Sequence, residues 1–347
     1  MRVHRSAEAD PADRGRAFGA AQRDAVRNTV AVYRRLLEEA AGATDASLRL
    51  AGARVGDRVA ERWPDLVREL EGIAEGAGVP ADVLVAINAR TELLGAQAGG
   101  ECSVAGRLLG DRCVVAQNWD WHPDLAPSLL VWSVRQPDGR WFATVTEAGM
   151  LAKIGVSSAG LCCALNFLRC SLDGALDGVP VHVLLRVLLD RTDTLSDALR
   201  LLLGSPVGAS SCITLGWADN GDAALVAAEL SPGGCRLLWP DAADRLVHTN
   251  HFLVGPPAGE DLEPADAPST LVRLHALNRG LRGGDPLTAL RSHAGAPESV
   301  CRHERPGEAW ADRRATLACV VMEPGAPHLR VGEGPPCERS PVEVALP

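Results

Sequence analysis

Lysine is nearly absent from this 347-residue chain: Lys153 is the single example, and arginine carries the remaining positive charge. The matching abundance of Ala, Arg, Gly and Leu reads as a coding bias with no chemistry of its own. Positive charge is in deficit overall. Against 35 Lys and Arg stand 44 Asp and Glu, a formal net charge of −9. That balance opposes non-specific binding to nucleic acid or to an anionic membrane surface. Long apolar runs are missing too, and none approaches the ~18 residues that a membrane helix needs. The first residues, MRVHRSAEADPADRG, hold no apolar signal-peptide core. The expectation is a cytoplasmic protein with neither nucleic acid nor membrane as partner.

Paired-cysteine motifs are the last absence. The ten cysteines include no CxxC pair and no Cys/His spacing of the zinc-finger kind. His248 and His251 lie three apart, but their segment lacks helical periodicity and has no carboxylate at ligand spacing. No metal and no cofactor are expected. Most of the cysteines sit in apolar runs and read as buried free thiols.

Two regions of different character are present. Across 14–41, 46–62, 65–77 and 80–93 apolar residues recur at helical spacing. The segment 95–101, GAQAGGE, breaks the pattern as a Gly-rich linker. From Cys102 onward, short Val-, Ile-, Thr- and Trp-rich runs alternate with turn residues. Strands are predicted at 102–107, 112–118, 128–135, 140–147, 151–157 and 160–166. Further strands are predicted at 211–218, 223–230, 235–239, 315–322 and 328–332. Hairpin turns fall at PDG 137–139 and NGD 220–222. Helices are predicted from Pro180, from 194–196 to Gly204, over 269–281 and over 286–294. Helices between two sets of antiparallel strands imply two sheets with helices outside, an α+β layered fold.

The order of helical leader, Gly-rich break and strand-initial cysteine suggests a specific chemistry. Cleavage between Glu101 and Cys102 would give Cys102 a free α-amine with an ordinary pKa of about 7.7–8. Such an amine can take the thiol proton, so one residue supplies nucleophile and base.

The stretch 100–170 resembles the acyl-coenzyme A:6-aminopenicillanic-acid acyltransferase family, which includes N-β-alanyl amine hydrolases. The resemblance lies in CS at 102–103, QNWDW at 117–121, TEAGMLAKIG at 146–155 and SSAGL at 157–161. HTNHF at 248–252 and SVCRH at 299–303 extend it. It implies an αββα sandwich of the N-terminal nucleophile type, made by self-cleavage. Residues 1–101 would become the small subunit and 102–347 the large one. It also implies a cysteine amidohydrolase or N-acyltransferase acting on a small-molecule amide or acyl thioester. Residue by residue, Cys102 matches the nucleophile, Asp120 the acid that orients its amine, Asn250 the oxyanion donor, and Arg302 a cation pairing with Asp120. Trp121 and His122 are candidates for the substrate side, and Glu147 with Lys153 reads as a structural ion pair.

The chain departs from the family at two points. Glu101 stands where Gly frequently precedes the nucleophile, and Gly eases a strained scissile backbone. Ser157 stands where an amide is common. Glu101 leaves open an alternative, an uncleaved and inactive relative that binds small acyl compounds. A Cys–His peptidase using His248 or His251 is a third reading.

Overall fold

Caps and glycines decide where the first helices begin and end. The computed structural model describes residues 1–95 and 102–347. Asp10 accepts hydrogen bonds from the backbone N–H groups of Ala12 and Asp13 at 2.9 and 3.1 Å. It thereby opens α1 (Pro11–Ala21), with Pro11 in the first turn. α2 (Arg23–Ala41) ends at Gly42, whose left-handed φ of 64° closes the helix. Thr44 and Ser47 form a capping box at α3 (Asp45–Ala60). α4 (Pro64–Ala77), α5 (Ala81–Asn88) and α6 (Arg90–Leu94) follow. α1 and α4 touch backbone to backbone. A Cβ at Gly15 or Gly19 would lie 2.2 Å from the carbonyl oxygen of Glu69 or Ile73. The close approach helps place Glu69 between Arg14 (2.6 Å) and Arg186 (2.8 Å), all three buried.

A wholly helical leader was predicted, and the structure departs from that. The chain starts with β1 (Arg2–Ser6), which pairs in parallel with β4 (Leu129–Arg135). Arg, His and Arg in RVHRS hide the period that would have revealed an edge strand. Tyr33 and Phe18 bury against the later strands, so the leader shares one apolar core with them.

The remaining strands fall close to their predicted positions. They are β2 (Ser103–Leu109), β3 (Arg112–Trp121), β5 (Trp141–Glu147), β6 (Ile154–Ser157) and β7 (Leu161–Phe167). β8 (Ser211–Asp219), β9 (Asp222–Ser231), β10 (Gly234–Leu238), β12 (Ala315–Met322) and β13 (His328–Glu333) follow. At the NGD turn Asn220 and Gly221 both take positive φ, 51° and 86°. Two short strands were not predicted, β11 (Arg245–His248) and β14 (Val342–Ala345).

Among the described residues one sheet has the order β1-β4-β5-β6-β7-β8-β9-β10, and the other β11-β2-β3-β12-β13-β14. Period-2 alternation fixes the layers. On β3, Cys113 and Val115 enter the core between the sheets, while Val114 and Ala116 face outward. That outer face is covered by α10 (Ser269–Leu281) and α11 (Pro286–Leu290). α7 (Val181–Arg191) and α2 pack against the other sheet. α8 (Leu195–Leu203) follows α7, and α9 (Glu263–Asp266) precedes α10. The result is the expected α+β fold, an αββα sandwich. No helix among the described residues is long and apolar enough to cross a membrane.

Candidate functional site

The edge between the two sheets gathers the polar residues. Cys102 stands immediately before β2, and Ser103 pairs with Asn118 on β3. β3 runs to Trp121, past the predicted end at 118, and carries its side chains to the cavity where Cys102 lies. Gln117, Trp119 and Trp121 alternate toward that cavity, which is partly open to solvent. Arg90, Asp120 and Lys153 also line it. Gln117 clamps the two sheets: its Nε2 donates to Leu165 O at 2.5 Å, and its Oε1 accepts from Leu165 N at 2.9 Å. Cys102 is buried, 9% exposed as a residue, and its Sγ lies 3.9 Å from Asp120 O.

Burial sets the electrostatics here. It pushes the Cys102 thiol up to about 11, and the Asp120 charge adds to that. Burial also raises Asp120 to about 7, although Thr316 and Arg273 favour its charged form. Lys153 is lowered to about 7 by burial and by Arg90, against the pull of Glu147. Lys153 Nζ donates to Glu147 Oε1 at 2.6 Å, and Tyr33 OH donates to the same oxygen at 2.6 Å. The ammonium lies 4.1 Å from the centre of the Trp119 ring, and the Arg90 guanidinium 4.8 Å from that of Trp121.

Asn250 is fixed by a residue that the sequence reading missed. Arg273 Nη1 and Nη2 each donate to Asn250 Oδ1 at 3.0 Å. A guanidinium has only donors, so the amide orientation follows, and Nδ2 donates to Phe167 O at 2.8 Å. Arg273 Nη1 also donates to Cys102 O at 3.0 Å, as does Asn166 Nδ2. The signal was present: Thr270, Arg273, Leu277 and Leu281 form the buried stripe of α10, and an arginine inside an apolar stripe needs a partner.

Two expectations change. Asp120 Oδ1 accepts from Thr316 Oγ1 at 2.6 Å, and the guanidinium that acts on its charge is Arg273 rather than Arg302. The backbone N–H of Arg302 donates to Thr316 Oγ1 at 3.0 Å. His122 is fully buried and lies outside the cavity lining. Its Nδ1 accepts from Asp124 N at 3.2 Å, capping a 3-10 turn, so Nε2 carries the proton and donates to Trp310 O at 2.8 Å. His248 Nε2 meets Glu229 at 2.9 Å and His251 Nδ1 meets Thr270 at 2.9 Å, and neither ring lines the Cys102 cavity. The expectation of no metal set rested on spacing along the chain. In space His293, Cys301, His303 and Cys337 converge. Trp121 does line the cavity. Glu101 and the rest of the linker from 96 onward lie outside the described residues.

Comparison with known proteins agrees with the resemblance. A relative from Emericella nidulans, "Acyl-coenzyme A:6-aminopenicillanic-acid-acyltransferase 40 kDa form", is 27% identical over 330 residues. The match covers 92% of this chain and 89% of the relative. Among solved structures, a mutant of the conjugated bile acid hydrolase from Clostridium perfringens matches with a TM-score of 0.44 at 10% identity. That match covers 70% of this chain and 92% of the other. Penicillin V acylase from Agrobacterium tumefaciens matches at 0.41 and 12% identity, covering 67% and 82%. The family profile described as "Acyl-coenzyme A:6-aminopenicillanic acid acyl-transferase" matches residues 108–336, about two thirds of the sequence. The chain belongs to that family.

Proposed function

We propose that the chain cleaves itself between Glu101 and Cys102, and that the mature Cys102 attacks a small-molecule amide or acyl thioester. Family membership makes it an acyl-transferring or amide-cleaving enzyme; the cysteine mechanism is our reading. The observation that carries it is Asp120 Oδ2. This oxygen is buried and has no hydrogen-bond partner among the described residues, and Asp120 lines the Cys102 cavity. A buried carboxylate oxygen left alone is costly. Cleavage would create an α-amine on Cys102, beside the backbone carbonyl of Asp120 that its thiol already approaches. Protonated, that amine would complete the carboxylate and offset the burial that holds the thiol near 11.

In the first step Cys102 Sγ adds to the Glu101 carbonyl carbon. The C–N bond breaks, the nitrogen takes a proton as the new amine, and water opens the thioester to a Glu101 carboxylate and a free thiol. In the second step the amine accepts the thiol proton, and sulfur attacks the substrate carbonyl. The second N–H of Asn250 Nδ2, with backbone amides, stabilises the oxyanion, and Arg273 keeps that amide from turning. The leaving group takes the proton back, and water or an amine resolves the acyl-enzyme. Trp119, Trp121 and Phe167 favour an acyl group with an apolar body.

Mass spectrometry of protein mixed with acyl thioesters tests the second step. Acylation of Cys102 is expected, with release of free acid or, when an amine is supplied, of the amide. Turnover retained in Cys102→Ala would sink the proposal. Glu101 motivates the rival reading of an uncleaved acyl-compound binder. That reading predicts a persistent full-length chain and no acylation.

A further inference from the structure

Away from the Cys102 cavity, two segments that are remote in sequence bring four soft ligands together. His293, Cys301 and His303 lie between α11 and β12, and Cys337 lies in the turn between β13 and β14. Among the described residues these four form the group whose ligand atoms all fall within 4.8 Å of one another. His293 Nε2 and His303 Nε2 are 3.2 Å apart. Cys301 Sγ and Cys337 Sγ are 3.5 Å apart. His303 Nε2 lies 3.9 Å from Cys301 Sγ and 3.3 Å from Cys337 Sγ.

We propose that His293, Cys301, His303 and Cys337 bind one zinc ion in a closed, structural site. Zinc binds imidazole at about 2.0–2.1 Å and thiolate at about 2.3 Å in a tetrahedron. Those lengths place nitrogens about 3.3 Å apart, sulfur and nitrogen about 3.6 Å apart, and sulfurs about 3.8 Å apart. The separations here straddle these values. Two thiols packed as hydrophobes have no reason to collect two imidazole nitrogens at the same point. The second shell agrees. His303 Nδ1 lies 3.1 Å from Glu338 Oε1, which orients the ring and leaves Nε2 toward the sulfurs. Two thiolates and two imidazoles, with no carboxylate among them, select zinc over magnesium or calcium. With four protein ligands no position stays open for a substrate.

The site has a structural consequence. Cys301 precedes Arg302, whose backbone N–H donates to Thr316 Oγ1 at 3.0 Å. Thr316 in turn donates to Asp120 Oδ1 at 2.6 Å. Asn118 Nδ2 holds the same loop through Leu290 O and Val300 O at 2.9 and 2.8 Å. Zinc would therefore anchor the loop that braces Asp120 from outside the cavity. It would also tie that loop to the turn before β14. The metal site stands or falls independently of what Cys102 does.

The test uses the full chain without an affinity tag, purified under reducing conditions without chelator. Elemental analysis and native mass spectrometry are expected to find about one zinc per chain. Zinc should fall to background in Cys301→Ser and in Cys337→Ser, and persist in Cys235→Ser. Glu338→Gln should weaken zinc binding by about 10–100-fold. If a cysteine variant fails to fold, cobalt(II) added to chelator-treated wild type decides. The intense visible absorption of a tetrahedral thiolate complex is expected, together with protection of Cys337 from a thiol reagent. Wild type that holds no zinc and gives no such cobalt spectrum overturns the proposal. So does zinc retained in both cysteine variants, or a Cys301–Cys337 disulfide in place of metal.

Discussion

Cys102 and Cys301 show two ways of surrounding a sulfur with nitrogen. At Cys102 one sulfur faces an open cavity, with Arg90, Lys153 and Asp120 spread around its walls. At Cys301 a second sulfur and two imidazoles close on a single point. A site built for reaction keeps room for a substrate and distributes charge where it develops. A site built for a metal fills that room with ligands. Burial raises the Cys102 thiol, whereas the Cys301 thiol has Cys337 Sγ at 3.5 Å and His303 Nε2 at 3.9 Å.

The two sites separate most sharply under substitution. Cys102→Ala is expected to abolish cleavage on a denaturing gel and to lower turnover by on the order of 10⁴-fold or more, with zinc content unchanged. Cys301→Ser should lose zinc and slow cleavage far less than Cys102→Ala does, because the ion braces Asp120 only through Arg302 and Thr316. Asp120→Asn removes the carboxylate that would receive the new amine. Self-cleavage should slow by about 10²–10³-fold in a time course, again without loss of zinc. Arg273→Met frees the Asn250 amide to turn. The expected loss is in kcat rather than KM, up to the roughly 10²-fold associated with one oxyanion donor. A loss confined to KM would count against the orienting role.

pH gives smaller and more specific effects. In uncleaved chain the Cys102 thiol is raised to about 11, so it is protonated at neutral pH. Its alkylation rate should rise about tenfold per pH unit between 7 and 10, as the thiolate fraction grows. Lys153 is lowered to about 7, so it is charged below that pH and neutral above it. Lys153→Met should therefore slow Cys102 alkylation at pH 6 and leave it unchanged at pH 9. An equal effect at both values would remove the lysine from the electrostatics of the site.

The sequence carried most of the sandwich because period-2 runs and turn residues are local signals. β12 and α10 fall where they were predicted, over 315–322 and 269–281. β1 and β14 escaped because edge strands carry polar side chains and need no alternation. Cys102, Asp120 and Asn250 were named through the family motifs; Cys102 and Asp120 line one cavity, and Arg273 links Asn250 Oδ1 to the Cys102 carbonyl. The pairing of Asp120 was not legible, because Thr316 lies across a strand register and Arg273 lies on a distant helix. The four-ligand cluster was invisible for the same reason: Cys301 and Cys337 are 36 residues apart, and only the β13–β14 turn brings them together.

Self-processing at Cys102 underlies everything proposed for the cavity, and the intact mass of purified protein under denaturing conditions probes it without any substrate. Two species are expected from the 347-residue chain, one of 101 residues and one of the remaining 246, the larger beginning with Cys102. A single full-length mass that persists on incubation would contradict self-processing.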